Sequence, residues 1–283
     1  MARVAEIVTR RPMMPAQAMA AVRERFPFAK YLPAVDAGHL NIAGTVLRHL
    51  RPGARVLDFG CGPCDKTAVI QGLGFQCTGF DELDDPWHGI EGNKEKILTF
   101  AREFGIVFVR ADGGRLPFSK ESFDLMMLHD VLEHLHDSPR ELLNDLLECV
   151  KPGGYLFVTV PNAVNIRKRI AVLFGKSNLP SFVDYYWYPG RWRGHVREYT
   201  KGDLLELANC LDLEVVELRS CHNMLDKVPR RLRPFYLAIT VLFTGWRDSW
   251  LLLGRKRAGW RARRMLRREE FERLYQGWVP FPG

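Results

Sequence analysis

The sequence predicts an α/β protein, doubly wound around a mostly parallel sheet, and two observations carry that prediction. Between residues 54 and 162, short apolar runs of strand length alternate with longer stretches of helical periodicity, the pattern left by parallel strands joined through crossover helices. The first run, Val56-Leu57-Asp58-Phe59, breaks directly into Gly60-Cys61-Gly62-Pro63-Cys64-Asp65-Lys66. A glycine turn at the carboxyl end of a strand is where open sheets of this kind hold a ligand. A hydrophobic content of 47% over 283 residues is ordinary for a protein with a packed core.

The elements can be justified in order. Gly60 and Gly62 remove the Cβ atoms that would hold a ligand off the backbone and allow a sharp strand-to-helix turn, with Asp58 facing whatever sits there. A second strand, 75–80, ends at Asp81-Glu82, about twenty residues past the turn, where an acid can grip ribose hydroxyls; Asp81 is the candidate. Residues 91–104 read as a helix and 106–109 as a third strand running into Ala111-Asp112-Gly113-Gly114. The fourth strand, 122–128, is followed by His129-Asp130-Val131-Leu132-Glu133-His134, expected on the first turn of a helix. Residues 139–150 are helical, with Leu142, Leu143, Leu146 and Leu147 on one face as core, and 151–162 supply a turn and a fifth strand. A long connection, 162–199, precedes a helix at 200–210 and a strand at 213–218. A seventh strand is expected to follow soon but has no evident place; residues 222–283 replace or interrupt it.

These segments together resemble the class I S-adenosylmethionine-dependent methyltransferases, most closely the ubiquinone-biosynthesis-like group. The 56–66 stretch is similar to the family's acid-x-Gly-x-Gly-x-Gly motif, with Cys64 in place of the third glycine. The segment from Ala111 to Phe118 looks like the one whose Asp meets the adenine amino group, and His195-Val196-Arg197-Glu198-Tyr199-Thr200 like the lead into the sheet's last helix. The resemblance implies a Rossmann-like seven-stranded sheet that binds S-adenosylmethionine through Asp58, Gly60, Cys61, Gly62, Asp81, Asp112, Gly113 and His129. Two other readings compete for the glycine turn. A dinucleotide site would carry a glycine further along, where Asp65 stands. Cys61-Gly62-Pro63-Cys64 is also the thioredoxin-type Cys-x-x-Cys, which would make the chain a thiol-disulfide oxidoreductase.

Methyl transfer from a sulfonium needs a held nucleophile and, for a hydroxyl, a base. His129, His134 and His195 are the candidates, against a plain packing role for each. Asp130, Glu133 and His134 share a face if they lie on one helical turn. The resemblance extends to Glu-x-x-Glu-His metal sites, some closed by a distant histidine, so Mg²⁺ is a possible cofactor on these three residues. Tyr185, Tyr186, Trp187, Tyr188 and Arg191 crowd the 162–199 connection, which reads as an aromatic lid over the acceptor or as a loop held by its own rings.

Charge divides the chain unevenly. From Lys227 onward there are 14 Lys and Arg against 4 Asp and Glu, whereas the preceding 226 residues hold 27 against 29. Within this tail, 235–246 is an uncharged apolar run, and Trp250-Leu251-Leu252-Leu253 comes next before Arg255-Lys256-Arg257. Twelve residues are too few to cross a bilayer, which needs about 20. The tail reads as an interfacial anchor for anionic headgroups, as packing with a solvated Arg-rich helix at 261–273, or, less well, as a nucleic-acid surface. Six cysteines without disulfide or zinc spacing, and an N-terminus without an apolar leader, suit a reducing cytoplasm. The expected organisation is a lead-in at 1–38, a cofactor domain at 39–221 with 162–199 as its lid, and a basic amphipathic extension at 222–283. The expected activity is O-methylation of a hydrophobic or lipid-linked acceptor, a sugar or isoprenoid phenol, on the inner membrane face; the alternative is RNA 2′-O-methylation.

Overall fold

Alternation along the strands decides the layers. Val56, Leu125, Met127, Leu251 and Leu253 point into one hydrophobic core, and Leu57, Met126, Leu128, Trp250 and Leu252 into another on the opposite face, as the two-residue period of a strand buried on both sides requires. The computed structural model describes residues 12–265, apart from 29 and 114.

In chain order the elements are α1 (Pro15–Arg25), α2 (Ala37–His49), β1 (Arg55–Phe59), α3 (Asp65–Gly72), β2 (Gln76–Asp81), α4 (Asn93–Phe104), β3 (Val107–Arg110) and β4 (Phe123–His129). Next come α5 (Arg140–Cys149), β5 (Val150–Pro161), α6 (Ile166–Leu173), α7 (Phe182–Tyr186), α8 (Lys201–Cys210), β6 (Leu213–Cys221), α9 (Arg233–Leu242) and β7 (Ser249–Lys256). Helices α1 to α4 cover one face, and α5 and α8 the other. The sheet order is β3-β2-β1-β4-β5-β7-β6, with β1 to β5 parallel and β7 antiparallel to both of its neighbours. The strand order reverses beside β1, between β1 and β4, and this opens the crevice at the carboxyl ends. Thr200 caps α8 by accepting from the Asp203 N–H (3.2 Å) while Asp203 accepts from the Thr200 N–H (2.7 Å), a reciprocal box.

The seventh strand comes from the region in which the sequence shows no evident place for one. Trp250-Leu251-Leu252-Leu253, expected as part of an interfacial anchor, forms the middle of β7 and is buried between β5 and β6. The sheet therefore extends past the boundary expected at 221, with α9 as an excursion before its last strand. The end of β7 and the chain beyond it are also packed: Lys256 donates to the Leu147 and Val150 carbonyls at the end of α5 (2.8 and 2.6 Å), and Arg264 pairs with Glu141 and Asp145. Residues 261–264 have no helical structure; the rest of the helix expected at 261–273, and residues 1–11 of the lead-in expected at 1–38, lie outside the described residues. Within the expected lead-in, Pro15–Arg25 instead forms α1, whose Ala18, Met19 and Val22 are buried against the core. No helix among the described residues is long and apolar enough to cross a membrane.

Candidate active site

The glycine turn is shaped by what surrounds it. Gly60 has φ +69°, and a Cβ there would meet Val131 Cγ2 at 2.6 Å, so glycine is required on two counts. The Gly60 N–H donates to the Phe80 carbonyl (2.8 Å) and the Gly62 N–H to Asp81 Oδ2 (2.8 Å), which ties the turn to the end of β2. Asp81 also accepts from the Leu83 N–H through Oδ1 (2.7 Å), leaving its second lone pairs toward the cavity. Burial raises its pKa above the usual carboxylate value, and the two backbone donors only partly offset this. Asp58 is buried beneath α3 and accepts from Thr67 Oγ1 (2.5 Å); burial pushes it up to about 7.

A cavity of ≈ 680 Å³ opens here, walled by Gly60, Asp81, Trp87, His129, His134 and Trp192, among others. That volume suits a nucleoside-sized cofactor with room for an acceptor. Tyr31 and Trp87, which no motif marks, close the cofactor end as part of an aromatic cluster, their rings 5.6 Å apart. Beside them Lys66 Nζ lies 2.9 Å from Asp130 Oδ2. Burial would lower the Lys66 pKa, but Asp130 and Asp65 outweigh it and hold the ammonium charged. Asp112 and Gly113, the latter at φ +77°, are exposed and do not line the cavity; among the described residues of that segment only Ala111 does.

The residues after β4 do not form the expected α-helical turn. Asp130 sits at φ +58° and a single 3-10 turn covers Leu132–His134. Asp130 therefore goes to Lys66, and the place expected for it beside Glu133 and His134 is taken by His195 of the lid. Glu133, His134 and His195 present ligand atoms all within 4.8 Å of one another. His134 Nδ1 lies 2.7 Å from the Arg193 carbonyl and must donate to it, leaving Nε2 with its lone pair. His195 Nδ1 faces Glu198 Oε1 at 2.8 Å, which likewise favours a free Nε2. Burial holds His134 below the ordinary histidine value. Glu133 is fully buried, both carboxylate oxygens lack a hydrogen-bond partner among the described residues, and burial raises its pKa strongly. An orphaned carboxylate flanked by two imidazoles, each oriented through its other nitrogen, is the arrangement of a cation site. The donor set suits a first-row transition ion better than Mg²⁺, which prefers all-oxygen shells.

His129 does not join this group. It is buried against Thr159 Oγ1 (3.0 Å) and burial pushes it down to about 3, so it stays neutral and makes a weak base. Of the expected acceptor residues only Arg191 reaches the cavity. Tyr185, Tyr186 and Trp187 are exposed on the outer face of the lid; Tyr185 and Tyr188 pack on Trp192 instead (centroids 5.4 and 5.1 Å), and Trp192 and Arg193 line the cavity. Cys61 and Cys64 are buried with sulfurs 3.6 Å apart. Burial raises the Cys61 thiol well above its ordinary value, the reverse of what an oxidoreductase nucleophile needs.

The fold and this site define a class I S-adenosylmethionine-dependent methyltransferase. A family profile described as a methyltransferase domain matches residues 30–218, and the chain belongs to that family. Among curated relatives, a ubiquinone biosynthesis O-methyltransferase of Burkholderia vietnamiensis is 25% identical over 194 residues, covering 68% of this chain and 78% of its own. An uncharacterized methyltransferase of Schizosaccharomyces pombe is 31% identical over 121 residues, 39% of this chain and 41% of its own. A methyltransferase structure from Methanosarcina mazei superposes with a TM-score of 0.52 at 16% identity, covering 75% of this chain and 97% of that one. The cyclase SpnF superposes equally well, at 0.52 with 18% identity over 86% of this chain and 93% of its own; at such identities the likeness concerns the fold alone.

Proposed function

We propose that the chain methylates a hydroxyl group of a hydrophobic small-molecule or lipid-linked acceptor, a sugar or an isoprenoid phenol. The observation that supports this most is His134, which lines the cavity with its Nδ1 engaged by the Arg193 carbonyl and its ring beside that of His195, itself held by Glu198. S-adenosylmethionine supplies a methyl already activated as a sulfonium, so the protein's part is to hold the acceptor oxygen in line and take its proton. Gly60, Gly62 and Asp81 would hold the cofactor, with the Asp81 carboxylate on the ribose hydroxyls. His134, kept neutral by its burial, accepts the proton at Nε2. The names of the Burkholderia relatives point the same way, toward oxygen as the methylated atom.

A second reading is favoured by the partnerless Glu133 carboxylate. Glu133, His134 and His195 would hold a divalent cation, which would make the acceptor hydroxyl more acidic. His134 Nε2 cannot then serve as base, and a chelator separates the two readings. The acceptor is tested by incubating the full chain with methyl-labelled S-adenosylmethionine and a lipid extract, and reading labelled products by mass spectrometry. Label on a hydroxyl of a lipid-soluble product is expected; label on nitrogen, carbon or RNA overturns the proposal.

A further inference from the structure

Two segments leave the same edge of the sheet as the cavity. Pro161 at the end of β5, Ser249 at the start of β7 and Cys221 at the end of β6 lie in register. From there 162–199 and 222–248 run outward. They start side by side: the Asn162 side-chain amide donates to the Gly245 and Arg247 carbonyls (2.8 and 2.7 Å). Most of the large apolar side chains on their helices stay exposed, although Tyr199, Val228 and Tyr236 are buried. Helices α6 and α7 have no buried residue, and α9 buries only Tyr236 and Thr240. Leu173 is 80% exposed, Phe174 74%, Phe235 76% and Leu242 77%. Monomeric proteins rarely leave so many large apolar residues in water on neighbouring short helices without something to cover them.

Charge says what covers them. Residues 162–183 contain four Lys and Arg and no acid, and 227–246 contain another four and no acid. Those eight cations equal the formal net charge of the entire chain, +8. Lys176, Arg230 and Arg231 are exposed among the apolar groups. Lys168 is paired with Glu198, but these three exposed cations, interleaved with exposed aliphatic and aromatic groups, match the acyl boundary and anionic headgroups of a bilayer. We infer that α6, α7 and α9 together form a docking surface for anionic membranes that seats the rim of the cavity, with its lid, against the lipid. The surface differs from the one read from the sequence, because Trp250, Lys256 and Arg264 are committed to packing and only α9 of the tail takes part. It deepens the reading of a lipid-linked acceptor but stands apart from it, since vesicles free of acceptor test it.

The experiment is sedimentation of the full chain with vesicles of phosphatidylcholine alone or with phosphatidylglycerol added. Co-sedimentation is expected with the anionic vesicles at ~0.1 M salt and about tenfold less at ~0.5 M. The triple variant Phe174→Ser, Phe235→Ser, Leu242→Ser should lose it while keeping S-adenosylhomocysteine affinity within about twofold, because these side chains touch neither the core nor the cavity. Arg230→Gln with Arg231→Gln should weaken it and serves as the second test if the triple variant misfolds. Absence of anionic-vesicle binding, a triple variant that binds like its parent, or self-association abolished by the same substitutions overturns the inference. A chain that binds vesicles but no S-adenosylhomocysteine would leave the surface intact and reject the cofactor assignment.

Discussion

The two ends of the cavity are built by different means. At the cofactor end, backbone groups and short-range contacts dominate: Gly60 N–H on the Phe80 carbonyl, Gly62 N–H on Asp81, Thr67 on Asp58, all within 24 residues of sequence. At the other end, a strap from the lid is clipped onto the segment after β4 from some sixty residues away. His134 meets the Arg193 carbonyl, His136 Nε2 the Trp192 carbonyl (2.7 Å), and the Val196 N–H donates to the Glu133 carbonyl (2.7 Å). Arg193 fastens the strap further by pairing with Glu82. A turn made of backbone is intolerant of any added atom, whereas a wall made of clipped side chains can be retuned by altering the lid.

The largest expected effect tests the intolerance. Gly60→Ala sets a Cβ 2.6 Å from Val131 Cγ2 and a side chain at φ +69°. Left-handed strain of about 1–3 kcal/mol plus the clash should weaken S-adenosylhomocysteine binding ~10²-fold by calorimetry. Adding Val131→Ala should relieve the clash but not the strain. Unchanged affinity in Gly60→Ala would show that the turn does not carry the cofactor.

At the other end, binding and rate should part. His134→Ala should lower the rate about 10²-fold with S-adenosylhomocysteine affinity nearly unchanged, the size of a general-base contribution; an unaltered rate returns His134 to packing. The active form is the neutral imidazole, and burial depresses its pKa. Activity should therefore persist below the ordinary histidine value and fall only at lower pH. Arg193→Ala, which loosens the strap and admits water to His134, should move that acid limb to higher pH. An unmoved limb would assign it to another group.

The cation reading predicts a smaller effect with a distinct signature. Glu133, driven toward its protonated form by burial, must release its proton to bind a metal. Titration with Mn²⁺ or Zn²⁺ should then show proton release that vanishes in Glu133→Gln, and excess chelator should lower the rate ~10-fold or more. Full activity in chelator with no proton release removes the metal.

The same contrast explains what could be read from the chain. Val56 to Lys66, the acid ending β2 and the leucines of α5 declare themselves because their spacing is local: a two- or four-residue period or a glycine at a fixed offset. The closing of Glu133 and His134 by His195 depends on where a 38-residue connection folds back, so the sequence offers the nearby Asp130 in its place. The left-handed turn at Asp130 that sends it to Lys66 has no sequence signature in a non-glycine residue. Tyr31 and Trp87 reach the cavity only through a cluster assembled with Phe26 and Phe28. Strand β7 is hidden because four apolar residues between arginines look alike as anchor or central strand. The antiparallel pairing that decides the matter lies roughly ninety residues back in β5.

The smallest expected effect falls on the most conspicuous motif. Cys61 and Cys64 touch across 3.6 Å in a buried pocket where Gly79 leaves room for them, since a Cβ at Gly79 would lie 2.9 Å from the Cys61 sulfur. Cys64 occupies φ +65° as the residue before α3, a conformation that favours glycine. Cys64→Gly should regain about 1 kcal/mol of left-handed strain and lose a comparable amount of thiol burial, so that melting temperature and methyl transfer stay close to the parent's. Cys61→Ala with Cys64→Ala should likewise keep methyl transfer within a few-fold, since burial holds the Cys61 thiol well above its ordinary value and Cys64 is fully buried behind the turn. A loss of activity beyond ~10-fold in the double variant, with S-adenosylhomocysteine binding retained, would mean that the thiols take part in chemistry, and would make the cofactor end of the cavity more than a backbone cradle.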